Sequence, residues 1–274
     1  MSARIFNSTL GALARKMLPV RAKQALKHWI ADPMPASSGY QITEGEVVAE
    51  LSDGWKDSEV ARRQHAAFAP LLQAMCEGKP RADFVAVAAA VRETGLKQPL
   101  IIEVGCGSGW NAEVLRYLLK CPVNYIGLDY SMAMTVAGKQ HYPNSKFVVA
   151  DALALPFQAD ACDILLSGGV LMHLLGYPEA IAESRRITRR WCIFHTVPVV
   201  KKRPTTVLKK FAYGSPVVEV VLNVEEFLKL VESNGLVLRQ AFDNIPHDYL
   251  SSLLGEPVSV QTYLCEVSWP RDGT

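Results

Sequence analysis

Apolar and polar positions follow two different rhythms along this chain, and the change falls near residue 96. Upstream, Val60, Gln64, Phe68, Leu71, Leu72 and Met75 recur at steps of three and four, which predicts a helix over 57–77. A second helix is expected over 82–94, stopped by Gly95. Downstream, short apolar runs alternate with helical stretches. The runs predict strands at 100–104, 123–128, 146–149, 163–167, 192–196, 237–242 and 258–267, and the stretches between predict helices at 111–119, 132–140, 178–189 and 224–234. Strands alternating with helices imply an α/β fold, a seven-stranded, mostly parallel, doubly wound sheet with helices on both faces. The last two strands show no helix-length connector, so the C-terminal strand is expected to run antiparallel. No internal repeat is present.

The 274 residues carry a formal net charge of +2, with 20% charged and 49% hydrophobic residues, which is ordinary globular composition. No apolar run reaches the ~18 residues that would cross a bilayer. The six cysteines form no C-x-x-C pair and match no zinc-ligand spacing, so no metal is expected. They read as reduced thiols of a cytoplasmic-type compartment.

The charge is unevenly placed. Residues 1–31 hold Arg4, Arg15, Lys16, Arg21, Lys23 and Lys27 and no acid. This basic amphipathic extension fits peripheral contact with an anionic membrane, a transit peptide, or a helix packed on the body. Residues 32–39, rich in Pro, Ser and Gly, read as a linker. A helical lid over 40–95 and a catalytic core over 96–274 would follow. Within that core, 196–222 stands out as an insertion on the ligand side, basic through Lys201, Lys202, Arg203, Lys209 and Lys210, with a turn at Tyr213–Gly214.

The chemistry concentrates at LIIEVGCGSG, residues 100–109. A strand ending in Glu103 leads through Gly105, Cys106, Gly107 and Gly109 into a helix. Glycines there let the backbone turn sharply at the carboxyl end of the first strand, where open α/β sheets bind ligands. The second strand ends at Asp129, placed to accept hydrogen bonds from ribose hydroxyls, and the third at Asp151. Either aspartate alone also fits a helix cap. The fourth strand opens onto the cleft at Ser167 and Gly168.

Taken together, E-x-G-x-G-x-G, then an acid, then D-x-x-x-L-P resembles the class I S-adenosylmethionine-dependent methyltransferases. The likeness is close over about 96–196. It implies that Gly105, Cys106, Gly107 and Gly109 hold the methionine part of S-adenosylmethionine while Glu103 orients its amino end. It further implies that Asp129 holds the ribose with Tyr130 beside the adenine, that Asp151 and Ala152 meet the adenine edge, and that Ser167 and Gly168 line the floor. Trp55 and Gln64 resemble residues of the lid helix many members fold over the cofactor.

In-line methyl transfer to a small-molecule, glycan-precursor or lipid-like acceptor, at oxygen, is the expected reaction. A hydroxyl acceptor needs a base within reach. His173 is the first choice and His195 the second, both at carboxyl ends of strands; each also fits a loop-satisfying role. The basic insertion would suit a phosphate- or carboxylate-bearing acceptor, and it also reads as a solvated loop. Residues 32–274 are net acidic, which argues against nucleic acid. Two alternatives stay open. A nicotinamide-dependent oxidoreductase would favour G-x-G-x-x-G, whereas Trp110 stands at its last glycine, and a non-catalytic cofactor-binding module would keep the same fold. The oligomeric state and the acceptor are not encoded in any motif.

Overall fold

The protein is described here by a computed structural model, which covers residues 37–43, 49–245 and 248–268. The basic extension 1–31, the first part of the 32–39 stretch and His247 lie outside the described residues. Ten strands and seven α-helices are seen among them: β1 Ser37–Ile42, α1 Ser58–Cys76, α2 Ala82–Glu93, β2 Leu100–Val104, α3 Trp110–Leu119, β3 Asn124–Asp129, α4 Met132–His141, β4 Lys146–Val149, β5 Cys162–Gly168, α5 Tyr177–Ile187, β6 Thr188–Val200, β7 Thr206–Ala212, β8 Ser215–Asn223, α6 Val224–Ser233, β9 Leu236–Asp243, α7 Asp248–Leu254 and β10 Ser259–Val267. Short 3-10 turns occupy Ala49–Lys56 and Leu171–His173.

Seven of the strands form the predicted core sheet, in the order β4-β3-β2-β5-β6-β10-β9. Neighbours are parallel from β4 to β6, and β10 pairs antiparallel with both β6 and β9. The C-terminal strand is thus the one that runs against the rest. Burial on both faces explains why Leu100–Val104 and Cys162–Gly168 read as near-continuous apolar runs. On one face α5 and α6 bury Ile181, Phe227 and Val231 against Leu128, Leu165 and Phe194. On the other, α2 and α3 bury Phe84, Val87 and Leu115 against Ile101, Ile164 and Ile193. Helix α2 is therefore part of the sheet-covering layer, not of a lid as its position before the first core strand suggested. Its Phe84 and Val87 are fully buried there, which removes more apolar surface from water than a lid position would.

Four further differences from expectation matter for the site. Most of the 196–222 insertion is a β-hairpin, β7–β8, closed by Tyr213–Gly214, both at positive φ as a two-residue hairpin turn requires. β1 adds to this hairpin antiparallel, so Ser37–Gly39 is strand and not linker. Third, β6 is 13 residues long and starts at Thr188, whose pairing with Cys162 ends α5 two residues earlier than the sequence suggested. Beyond the end of β5 it continues and pairs with β8 through Val199 and Val200, which ties the hairpin to the core. Last, the connection between β9 and β10 contains α7, whose Leu250 and Leu254 pack under Leu208 and Val221 of the hairpin.

Candidate active site

The core strand ends and the hairpin enclose a cavity of about 320 Å³. Gly105 and Gly107 after β2, Asp129 ending β3, Ala152 after β4 and Gly168 ending β5 line one side. Lys210 and Ala212 of β7 with Glu219 of β8 line the other, and Trp55, Gln64 and Phe68 contribute from the N-terminal side. Gly105 and Gly107 take positive φ (69° and 54°), which a glycine tolerates without strain. Their missing side chains also make room for protein: a Cβ at Gly105 would lie 2.4 Å from Val170 Cβ, and one at Gly107 2.6 Å from the Trp110 ring.

Asp129 is the one carboxylate at the strand-end wall. It is 8% exposed, and its two oxygens accept N–H bonds from Gly107 and Ser131 at 2.9 Å each. Burial pushes its pKa up to about 6, and the two N–H bonds restrain that rise. Each oxygen keeps a second lone pair for a ligand hydroxyl. Tyr130 follows it along the cavity, and Trp55 and Gln64 reach the space from above. Trp55 Nε1 and Gln64 Oε1 are buried with no hydrogen-bond partner among the described residues. Buried polar atoms seldom go unsatisfied, so these two mark places where a ligand group would fit.

Five of the residues implied by the family resemblance do not line the cavity. Glu103 is fully buried beneath the turn, where Asn111 Nδ2 (2.7 Å) and the Tyr125 hydroxyl donate to it. Burial raises its pKa to about 7, against the pull of those two bonds. Asp151 is exposed, and its side chain folds back to accept the Leu153 N–H at 2.9 Å. Cys106 and Ser167 are buried, and Gly109 forms the N-cap of α3. Side chains at successive strand positions alternate between the two faces of a sheet, so a strand's end presents only some of them to the cleft.

Both histidines do line it. His173 Nδ1 lies 2.8 Å from the Val218 carbonyl oxygen. That oxygen can only accept, so Nδ1 carries the proton and Nε2 presents a bare lone pair. Burial, helped by the nearby charge of Lys210, lowers its pKa to about 4 and keeps it neutral. The Trp55 ring packs against it, centroids 4.7 Å apart. His195 is 4% exposed, bonded through Nδ1 to Thr262 Oγ1 at 2.8 Å, and burial lowers its pKa likewise to about 4. His65 lies apart, stacked on His141 at 3.4 Å.

Sequence reasoning missed several contributors. Two buried ion pairs line the cavity, Arg81–Asp83 from the start of α2 and Lys210–Glu219 across the hairpin. Phe68 stacks on Trp110 at 3.9 Å, one from the predicted helical stripe and the other from the glycine turn. The helical spacing of Phe68 was visible, but its partner lies 42 positions away. Lys210 was visible only as one of five basic residues. Among the described residues no cluster of three or more His, Cys, Asp or Glu side chains could hold a metal, and no helix is long and apolar enough to cross a membrane.

A family model for a methyltransferase domain matches residues 102–194, from β2 into β6. With the strand order described above, this region is a class I S-adenosylmethionine-dependent methyltransferase domain. Among curated relatives, a ubiquinone/menaquinone biosynthesis C-methyltransferase of Campylobacter jejuni is 27% identical over 113 residues, 39% of this chain and 48% of the relative. A phthiotriol/phenolphthiotriol dimycocerosates methyltransferase of Mycobacterium leprae is 32% identical over 99 residues, 35% of this chain and 36% of the relative. The chain thus covers less than half the length of either. Among solved structures, a Burkholderia thailandensis 1,6-didemethyltoxoflavin-N1-methyltransferase with its substrate and S-adenosylhomocysteine bound superposes with a TM-score of 0.55, at 12% identity, over 84% of this chain and 95% of that one. The likeness establishes the shared fold.

Proposed function

We propose that the chain transfers a methyl group from S-adenosylmethionine to the hydroxyl oxygen of a small or lipid-like acceptor. The observation that carries this is the convergence on one cavity of Gly105 and Gly107, Asp129 and Gly168, the ends of three adjacent parallel strands. The residues present fit the cofactor. Asp129 holds lone pairs for two ribose hydroxyls, Tyr130 and Ala152 border the space for a flat base, and Trp55 Nε1 and Gln64 Oε1 await polar partners. When bound, S-adenosylmethionine supplies a methyl group already activated on a positively charged sulfur. The ionised Asp129 suits that positive charge. Printed names of the relatives, a quinone-pathway enzyme and a long-chain lipid enzyme, support an acceptor of that general size and polarity.

The chain's own work is then alignment and proton removal. Holding two reactants in line can supply ~7–11 kcal/mol of barrier reduction. His173 Nε2, neutral and aimed into the cavity, accepts a hydrogen bond from the acceptor hydroxyl. It takes the proton once that oxygen has gained a carbon and become strongly acidic, so a pKa of about 4 suffices. Trp55, packed on His173, fixes the ring's direction and belongs to a lid formed by the 3-10 turn Ala49–Lys56 and α1.

The test adds S-adenosylhomocysteine, S-adenosylmethionine or NAD to the purified protein and reads the melting temperature. A ligand at 100 times its Kd stabilises by ~2.7 kcal/mol. The two sulfur ligands should raise the midpoint and NAD should not; a rise with NAD alone would make the sheet that of an oxidoreductase. Methyl-labelled cofactor with a cell extract should then yield a labelled product, and none forms if the site only binds.

A further inference from the structure

The basic residues of the 196–222 segment mostly face away from the cavity. The backbone N–H groups of Lys201 and Lys202 donate to the Glu256 carboxylate, and the Arg203 guanidinium donates to the Leu254 carbonyl. Of the five, only Lys210 lines the space. Its ammonium is bound directly by Glu219, with side chains 5% and 0% exposed. Arg81, the other cation at the cavity among the described residues, is bound by Asp83. An acceptor bearing phosphate or carboxylate would shed its water and find each of these cations already held. It would also meet the negative charge of Asp129. Taking a charge out of water without a free partner costs several kcal/mol. An uncharged acceptor incurs no such cost.

The Lys210–Glu219 pair also has a positive use. An ammonium carries three N–H groups, of which Glu219 needs one, and a carboxylate has about four lone-pair positions. Side by side they present one donor and one acceptor to whatever lies against them. They sit across the cavity from the strand-end wall, on the hairpin that carries Tyr213, and His173 is near enough to feel both charges. A molecule with a carbonyl oxygen next to a hydroxyl matches this arrangement, its carbonyl accepting from Lys210 and its hydroxyl donating to Glu219 or His173. Trp55 and Tyr213, ring centroids 6.2 Å apart, offer aromatic surface for a flat body.

We propose that the acceptor is an uncharged, planar molecule with neighbouring hydroxyl and carbonyl oxygens, selected by the Lys210–Glu219 pair; this rests on the methyltransferase reading above for its role as acceptor. It replaces the anionic acceptor that the basic insertion suggested.

The test uses two probes of one shape, methyl salicylate, which is uncharged, and salicylate, which carries a carboxylate. Calorimetry at pH 7.5 is run with and without saturating S-adenosylhomocysteine. Wild-type protein should bind the ester at least tenfold more tightly than the acid. Glu219→Gln leaves Lys210 without its counter-charge, and the preference should fall at least tenfold or invert. The double variant Lys210→Met/Glu219→Leu, which replaces the pair with apolar groups of similar volume, should bind both probes alike within a few-fold and carries the test if Glu219→Gln does not fold. Wild-type preference for salicylate, binding of neither probe, or an unchanged ratio in the variants overturns the proposal. Failure of S-adenosylhomocysteine to bind overturns the methyltransferase reading instead, while the probe ratio measured without it still tests the pair.

Discussion

The two sides of the cavity are β-structures of unlike construction. The strand-end wall is formed by parallel strands buried on both faces, and it meets a ligand mainly with backbone turns and one carboxylate, Asp129. The hairpin wall is antiparallel, reaches the core through a single short parallel contact with β6, and meets a ligand with long side chains held in an ion pair. Backbone geometry at the first wall is fixed by core packing, so it suits a ligand that never changes. The second can exchange side chains without disturbing the core, as expected of a segment that selects among acceptors. Division of labour between the walls is therefore built into how each is held.

That contrast can be broken or sharpened by experiment. The largest effect is expected from Gly105→Ala. The new Cβ would sit 2.4 Å from Val170 Cβ at a φ of 69°, so the strand-end wall must shift. A loss of about 3 kcal/mol in stability should accompany loss of S-adenosylhomocysteine binding. Denaturant melts and calorimetry on the variant would read both; intact binding with lowered stability would show that the turn serves packing alone.

A smaller effect concerns His195, which links the strand-end wall to β10 through Thr262. Its pKa is depressed in the fold, from 6.5 to about 4, so the unfolded chain takes up the proton first as pH falls. The stability it contributes is complete above about pH 6.5 and is lost as pH falls toward 4. Between pH 6.5 and 4.5 this amounts to about 2 kcal/mol. Asp129 and Glu103, raised in the fold, work in the opposite sense, their contribution being lost as pH rises through about 6 and 7. Replacing His195 with Gln should flatten the acid limb of the stability profile; an unchanged limb would mean that His195 is not buried as a neutral ring.

The same contrast explains what could be read from the sequence. All seven core strands and the helices between them follow local periodicity, and the glycine turn and Asp129 were found because both sit at strand ends, where the chain order itself brings them together. Asp151 has the same sequence position relative to its strand, yet its carboxylate is bound to the Leu153 N–H, a local choice that no spacing reveals. Strands β7 and β8 were hidden because Lys209 and Lys210 interrupt the apolar alternation, and because their register depends on β1 and β6, far away in the chain. Only their turn, Tyr213–Gly214, is a local signal. Glu219, placed by that register opposite Leu208 and beside Lys210, could not be paired with its partner before the fold was known.

The central claim is that Asp129, positioned by the Gly107 and Ser131 N–H groups, grips the sugar of an adenosyl ligand. Calorimetric titration of S-adenosylhomocysteine into wild-type protein and Asp129→Ala at pH 7.5 tests it most directly. The claim predicts micromolar-or-tighter binding to the wild type, weakened at least tenfold, ~1.4 kcal/mol, in a variant that still melts cooperatively. Equal affinity in the two folded proteins would contradict it.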